Sequence, residues 1–104
     1  MMFTSNRDIS VGVDNLELAI EFYEKTLGFK PVKAKTNLHV YNTGHFTLYV
    51  EKSEPHSPIL SYNVENLEEA KRHLQENGCS ILVEREKSLY IKDPFGIVWD
   101  IIEK

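Results

Sequence analysis

Apolar positions along the chain follow two periods that succeed one another. Leu16, Ile20, Tyr23 and Leu27 recur at helical steps, with Ala19 and Phe22 widening the stripe, so DNLELAIEFYEKTLGF predicts one amphipathic helix. Asp14 or Asn15 can cap its start, Asp14 and Glu17 have capping-box spacing, and Gly28 supplies the stop. Glu21 and Lys25 form a favourable pair on its polar side. Before the helix, Ile9, Val11 and Val13 alternate with Ser10 and Gly12, the mark of a half-buried strand. After it, strands are expected over Lys30–Lys35, Asn37–Tyr41 and Phe46–Glu51, with Asn42-Thr43-Gly44 as a turn.

The whole pattern then repeats. VENLEEAKRHLQENG matches VDNLELAIEFYEKTLG apart from one residue of length, with Val13 and Val64, Asn15 and Asn66, Leu16 and Leu67, and Ala19 and Ala70 all 51 apart. The glycine stops Gly28 and Gly78 are 50 apart. Near the module ends, Gly44 with Gly96 and Glu51-Lys52 with Glu103-Lys104 pair at 52. Ordered matches at near-constant spacing indicate tandem modules. Module one covers residues 7–52, a Pro- and Ser-containing linker covers 53–58, and module two covers 59–104, within one domain. Module two is expected to run Ile59–Val64, a helix capped by Asn66, Ser80–Glu84, Ser88–Lys92, a turn Asp93–Gly96, and Ile97–Ile102. Each module is therefore a βαβββ unit, and the fold class is α+β.

Composition narrows the partners. The net charge is −4 and no basic stripe exists, which argues against nucleic acid. No apolar run reaches membrane-span length, and MMFTSNRDIS lacks a signal-peptide core. The single cysteine, Cys79, allows no internal disulfide, so a cytoplasmic setting is expected.

Two stretches, DNLELAIEFYEKTLGF with its FY and LGF elements and KDPFGIVWDIIEK with its DP-x-G turn, resemble the vicinal oxygen chelate superfamily of glyoxalases, bleomycin-resistance proteins and extradiol dioxygenases. That resemblance implies curved mixed sheets forming a cup with helices outside, and a homodimer. It also implies four metal-ligand positions, on the first and last strand of each module. Aligned on the motifs and the repeat, they fall on Asp8, Leu48, Ile59 and Asp100, where the family usually has His, Glu or Gln. Leu and Ile cannot coordinate a cation, and two carboxylates suit only a hard ion completed by other oxygens. A metal-free member is therefore expected, with no cofactor favoured; the alternative is a divalent metal on Asp8 and Asp100.

The expected ligand-binding set is Asp8, Ser10, Phe46, Leu48, Ile59, Ser61, Asn63, Tyr90 and Asp100. Asp8 shares a strand face with Ser10; Phe46 and Leu48 share the face of Asp100 through the repeat; Ser61 and Asn63 share that of Ile59. Trp99 and Ile101 should pack under the helices. The plainer reading is a solvated strand start for Asp8 and an exposed edge for Asp100. His39 and Asp100 are the candidate acid–base groups, although a lone strand histidine is usually structural. The leading expectation is a binder of a small apolar or cationic molecule such as an antibiotic. A metal-dependent glyoxalase-like lyase or dioxygenase is the second, and a dimeric interaction module without small ligand the third.

Overall fold

The structure, a computed structural model, describes residues 2–104. The chain is α+β and divides into two compact units, Arg7–Pro58 and residues 2–6 with Ile59–Lys104. In the first, β1 (Thr4–Val13, from Arg7 onward) leads into α1 (Leu16–Glu21), followed by β2 (Lys30–Lys35), β3 (Leu38–Asn42) and β4 (Thr47–Lys52). In the second, β5 (His56–Val64, from Ile59 onward) leads into α2 (Leu67–Glu76), then β6 (Ser80–Glu84), β7 (Ser88–Lys92) and β8 (Val98–Glu103). Each unit is one βαβββ module with a curved mixed sheet, in the orders β2-β3-β4-β1 and β5-β8-β7-β6. The first and last strands of a module are parallel, as the intervening helix requires, and the others antiparallel.

Each helix is fixed by its cap and its buried face. The Asn15 side chain accepts a bond from Leu18 N (3.1 Å), and that of Asn66 from Glu69 N (3.0 Å). Under α1 the core is Val11, Leu16, Tyr41, Leu48 and Val50; under α2 it is Val64, Leu67, Ala70, Leu89, Ile91 and Ile101, with Trp99 packed against it. Trp99 and Ile101 thus lie on the helix side of their sheet, as the alternation predicts.

Three expectations are corrected. The first helix is not uniform: α1 ends at Glu21, and Phe22–Thr26 forms a π-helical turn. This turn absorbs the one extra residue of the first repeat. The bond closing the first helix therefore runs from Phe29 N back to Tyr23 O, whereas the second closes from Cys79 N to Leu74 O, one residue shorter. Gly28 and Gly78, both at positive φ, follow as stops.

Second, β1 begins at Thr4 rather than near Ile9, because TSNRD carries no apolar alternation to reveal a strand. Third, β5 begins at His56, inside the stretch expected to be linker. That stretch lies against Gly12, where an added Cβ would come within 2.6 Å of Glu54 O and 2.5 Å of the His56 and Ser53 side chains. Only glycine fits there.

Candidate functional site

In each module the sheet face opposite the helix carries a row of polar residues. On that face of module two, Ser61 pairs in register with Asp100 on β8, and Asp100 with Tyr90 on β7. Ser61 is buried, and its Oγ donates to Asn6 Oδ1 (2.8 Å). Asn6 Nδ2 in turn donates to Asn63 Oδ1 (3.1 Å). The Arg85 guanidinium lies 4.9 Å from the Tyr90 ring centroid. Ser61, Asn63, Tyr90 and Asp100, expected from the sequence, thus share one face, with Ile59 buried on the same side by alternation. At the end of β5 a cavity of about 360 Å³ opens beside Asn63, bordered by Thr4, Asn66, Glu69 and Lys104.

The corresponding face of module one carries Asp8, Ser10 and Tyr49. Ser10 pairs in register with Tyr49. The Ser10 Oγ is buried and makes no hydrogen bond with any described residue. Burial raises the Tyr49 pKa, and the negative charge of Asp8 raises it further, so the phenol stays protonated across the physiological range.

Tyr49, not Leu48, is the counterpart of Asp100. Ser10 faces Tyr49 as Ser61 faces Asp100, a constant spacing of 51. The spacing of 52 between Gly44 and Gly96 misleads, because the two turns differ in length: Asn42 pairs with Thr47, but Lys92 with Val98. Sliding a strand by one residue inverts its faces. Leu48 is consequently a core residue under α1, and Phe46 sits exposed in the turn before β4; neither lies on the polar face.

His39, the other candidate acid–base group, lies elsewhere. It occupies the helix side of module one, with Nδ1 3.7 Å from Glu24 Oε2, while Asp8 and Ser10 lie on the other side of the sheet. The Tyr41 hydroxyl donates to the same Glu24 oxygen (2.9 Å), and burial first, then this carboxylate, raises the Tyr41 pKa far above the normal tyrosine value. Asn6, Tyr49 and Arg85 escaped the sequence reading. Asn6 precedes the alternating run, Tyr49 is hidden by the turn length, and Arg85 is a hairpin residue of no recognisable pattern.

The residues present do not suit a family-type metal. Module one offers Asp8 and a protonated Tyr49; module two offers Asp100 and Ile59, which has no lone pair. Among the described residues no three His, Cys, Asp or Glu side chains converge on one point. No helix among them is long and apolar enough to cross a membrane.

The sequence profile of the Glyoxalase/Bleomycin resistance protein/Dioxygenase superfamily matches residues 7–101. No curated protein matches the chain by sequence. The fold is similar to that of homoprotocatechuate 2,3-dioxygenase from Brevibacterium fuscum in complex with 3,4-dihydroxyphenylacetate (TM-score 0.72, 17% identity, 98% of this chain and 37% of that one). It is equally similar to the dioxygenase of that name from Arthrobacter globiformis (0.72, 17%, 98% and 36%). The hypothetical protein BH1468 from Bacillus halodurans C-125 matches at 0.69 and 14% identity, over 100% of this chain and 96% of that one. The chain thus spans about a third of the length of the dioxygenase chains.

Proposed function

The chain belongs to the glyoxalase/bleomycin resistance protein/dioxygenase superfamily, and from that premise we propose that it is a metal-free binding protein for a small apolar or cationic organic molecule, an antibiotic being one such compound. The observation that carries this reading is the polar row of module two: buried Ser61 bonded to Asn6, Asn6 bonded to Asn63, and Asp100 paired in register beside them. Such a row fixes the orientation of a guest, and the Tyr90 ring offers it an apolar surface. The buried Ser10 hydroxyl of module one is a further group that a guest would satisfy. The reading includes a homodimer and a cytoplasmic setting, as the resemblance and the single thiol suggest.

Dioxygenase or lyase chemistry is the second reading, favoured by the fold shared with the two homoprotocatechuate 2,3-dioxygenases. The donor set argues against it. Metal content of the purified protein, followed by melting with Mg²⁺, Mn²⁺, Ni²⁺, Zn²⁺, Fe²⁺ and bleomycin-type cationic antibiotics, separates the two. A guest that binds only the folded state raises Tm. The binder reading expects stabilisation by an organic compound and none specific to a metal, with affinity about tenfold weaker in Ser61→Val or Asp100→Asn. Near-stoichiometric metal and turnover that vanish together in Asp8→Ala/Asp100→Ala would establish the enzyme instead.

A further inference from the structure

The corners beneath the two helix starts carry opposite charges, closed in module two and open in module one. In module two the Glu103 carboxylate fills it: Oε2 accepts from Leu67 N (2.8 Å) and Oε1 from Lys87 Nζ (2.8 Å). The backbone frame is the bond from Glu103 N to Lys87 O (2.8 Å). Module one repeats that frame from Lys52 N to Asn37 O (2.8 Å), so Lys52 is the counterpart of Glu103 and Asn37 of Lys87. A carboxylate has thus been exchanged for an ammonium, and its partner ammonium for an amide. Instead of an internal ion pair, module one has a cavity of about 550 Å³ bordered by Leu16, Ile20, Thr36, Asn37, His39 and Lys52. Among the described residues Lys52 has no ion-pair partner.

We propose that this cavity binds a small monocarboxylate with a short apolar tail, its carboxylate supplying the charge that Glu103 supplies in module two. The groups that hold it are side chains: Lys52 as the cation, Asn37 as a neutral donor and His39 as a ring edge. Strand alternation puts His39 and Lys52 on the helix side of the sheet, with Tyr41 and Val50, and Asn37 borders the same cavity from the turn before β3. A charge-assisted bond to an ammonium is the strongest contact available to such a ligand. Leu16 and Ile20 offer its tail an apolar wall. Asp14 and Glu17 also border the cavity and repel every anion, a dianion about twice as strongly as a monoanion, so a monocarboxylate is favoured over the doubly charged form of inorganic phosphate. This corner lies on the opposite side of the module one sheet from Asp8, Ser10 and Tyr49, and it is independent of the binder reading.

Titration of the full chain with sodium butyrate, followed by amide chemical shifts, tests the assignment. The expected result is saturable shifts at Asn37, His39 and Lys52, absent with inorganic phosphate at equal concentration. In Lys52→Met the affinity should fall about tenfold or more. In Lys52→Glu, where the corner carries its own carboxylate, binding should vanish while the folded spectrum persists. Shifts that do not saturate, phosphate binding as tightly as butyrate, or Lys52→Met binding like the parent would overturn the proposal. Because the reporting amides all lie in module one, failure here leaves the Ser61–Asp100 reading standing, and the converse.

Discussion

The two modules share one frame and fill it differently. Register makes His39 the counterpart of Leu89 and Tyr41 that of Ile91. Beneath α2 these positions are wholly apolar and closed. Beneath α1 they carry an imidazole and a phenol, and the π-helical turn lies where Glu24 meets both. The extra helical residue and the polar pair belong together: a buried tyrosine hydroxyl requires a partner, and the turn containing Glu24 provides it. The lesson is that a duplicated frame tolerates polar substitution on its packed side when a local change in helix winding brings a partner along.

The sharpest way to break this comparison is to truncate the two counterparts in parallel. Leu89 is 0% exposed among apolar neighbours, so Leu89→Ala leaves a cavity that nothing refills and should cost about 3 kcal/mol. The His39 side chain is 16% exposed and borders an open cavity, so His39→Ala should cost under about 1 kcal/mol. Urea unfolding of the two variants measures both. Equal losses would mean that module one is closed as tightly as module two.

A smaller effect tests the link between the π-helical turn and Tyr41. Tyr41→Phe keeps the ring and removes the donor, which should cost about 1 kcal/mol. Amide exchange should quicken within Phe22–Thr26 and not in α2, because Glu24 loses the bond that holds that turn to the sheet. Uniform quickening across both helices would show that the bond is not what holds it.

These contrasts also separate what the sequence displays from what it conceals. Helix and strand order were legible because apolar residues on one side of an element must recur at its period, as Leu16, Ile20 and Tyr23 do against Ile9, Val11 and Val13. The cap of the second helix was legible because Asn66 acts on Glu69, three positions away, whereas at the first helix the sequence left Asp14 and Asn15 open and the structure uses Asn15. The polar face of module two was legible for the same reason: Ser61, Asn63 and Asp100 alternate with apolar neighbours. The last strand of module one was not. Its face depends on the number of residues in a turn, and a pair of glycines that look equivalent occupy different places in turns of different length. The π-helical turn was visible only as a one-residue surplus, with nothing local to say how the helix would absorb it. Lys52 was hidden by its neighbours: Glu51-Lys52 mimics Glu103-Lys104, but the backbone bonds align Lys52 with Glu103.

That alignment gives the smallest effect and the finest test. The Lys87 hydrogen bond first, and the Leu67 N–H second, hold the Glu103 carboxyl below the usual glutamate range, with burial opposing them. A carboxylate whose folded-state pKa is depressed takes up its proton more readily in the unfolded chain. Its contribution is therefore full above the ordinary glutamate range and fades as pH falls through the folded-state value. Glu103→Gln removes the charge while keeping the shape, so the stability difference from the parent should be largest near neutral pH and shrink on acidification. Lys52→Met, at the counterpart position, removes no carboxylate and should leave the acid limb of the stability curve unchanged. Unfolding free energies measured from acid to neutral pH for the parent and both variants decide it. An acid limb flattened equally by the two substitutions would mean that the corner of module one already contains a titrating carboxylate partner, and that the charge reversal between the modules has no energetic consequence.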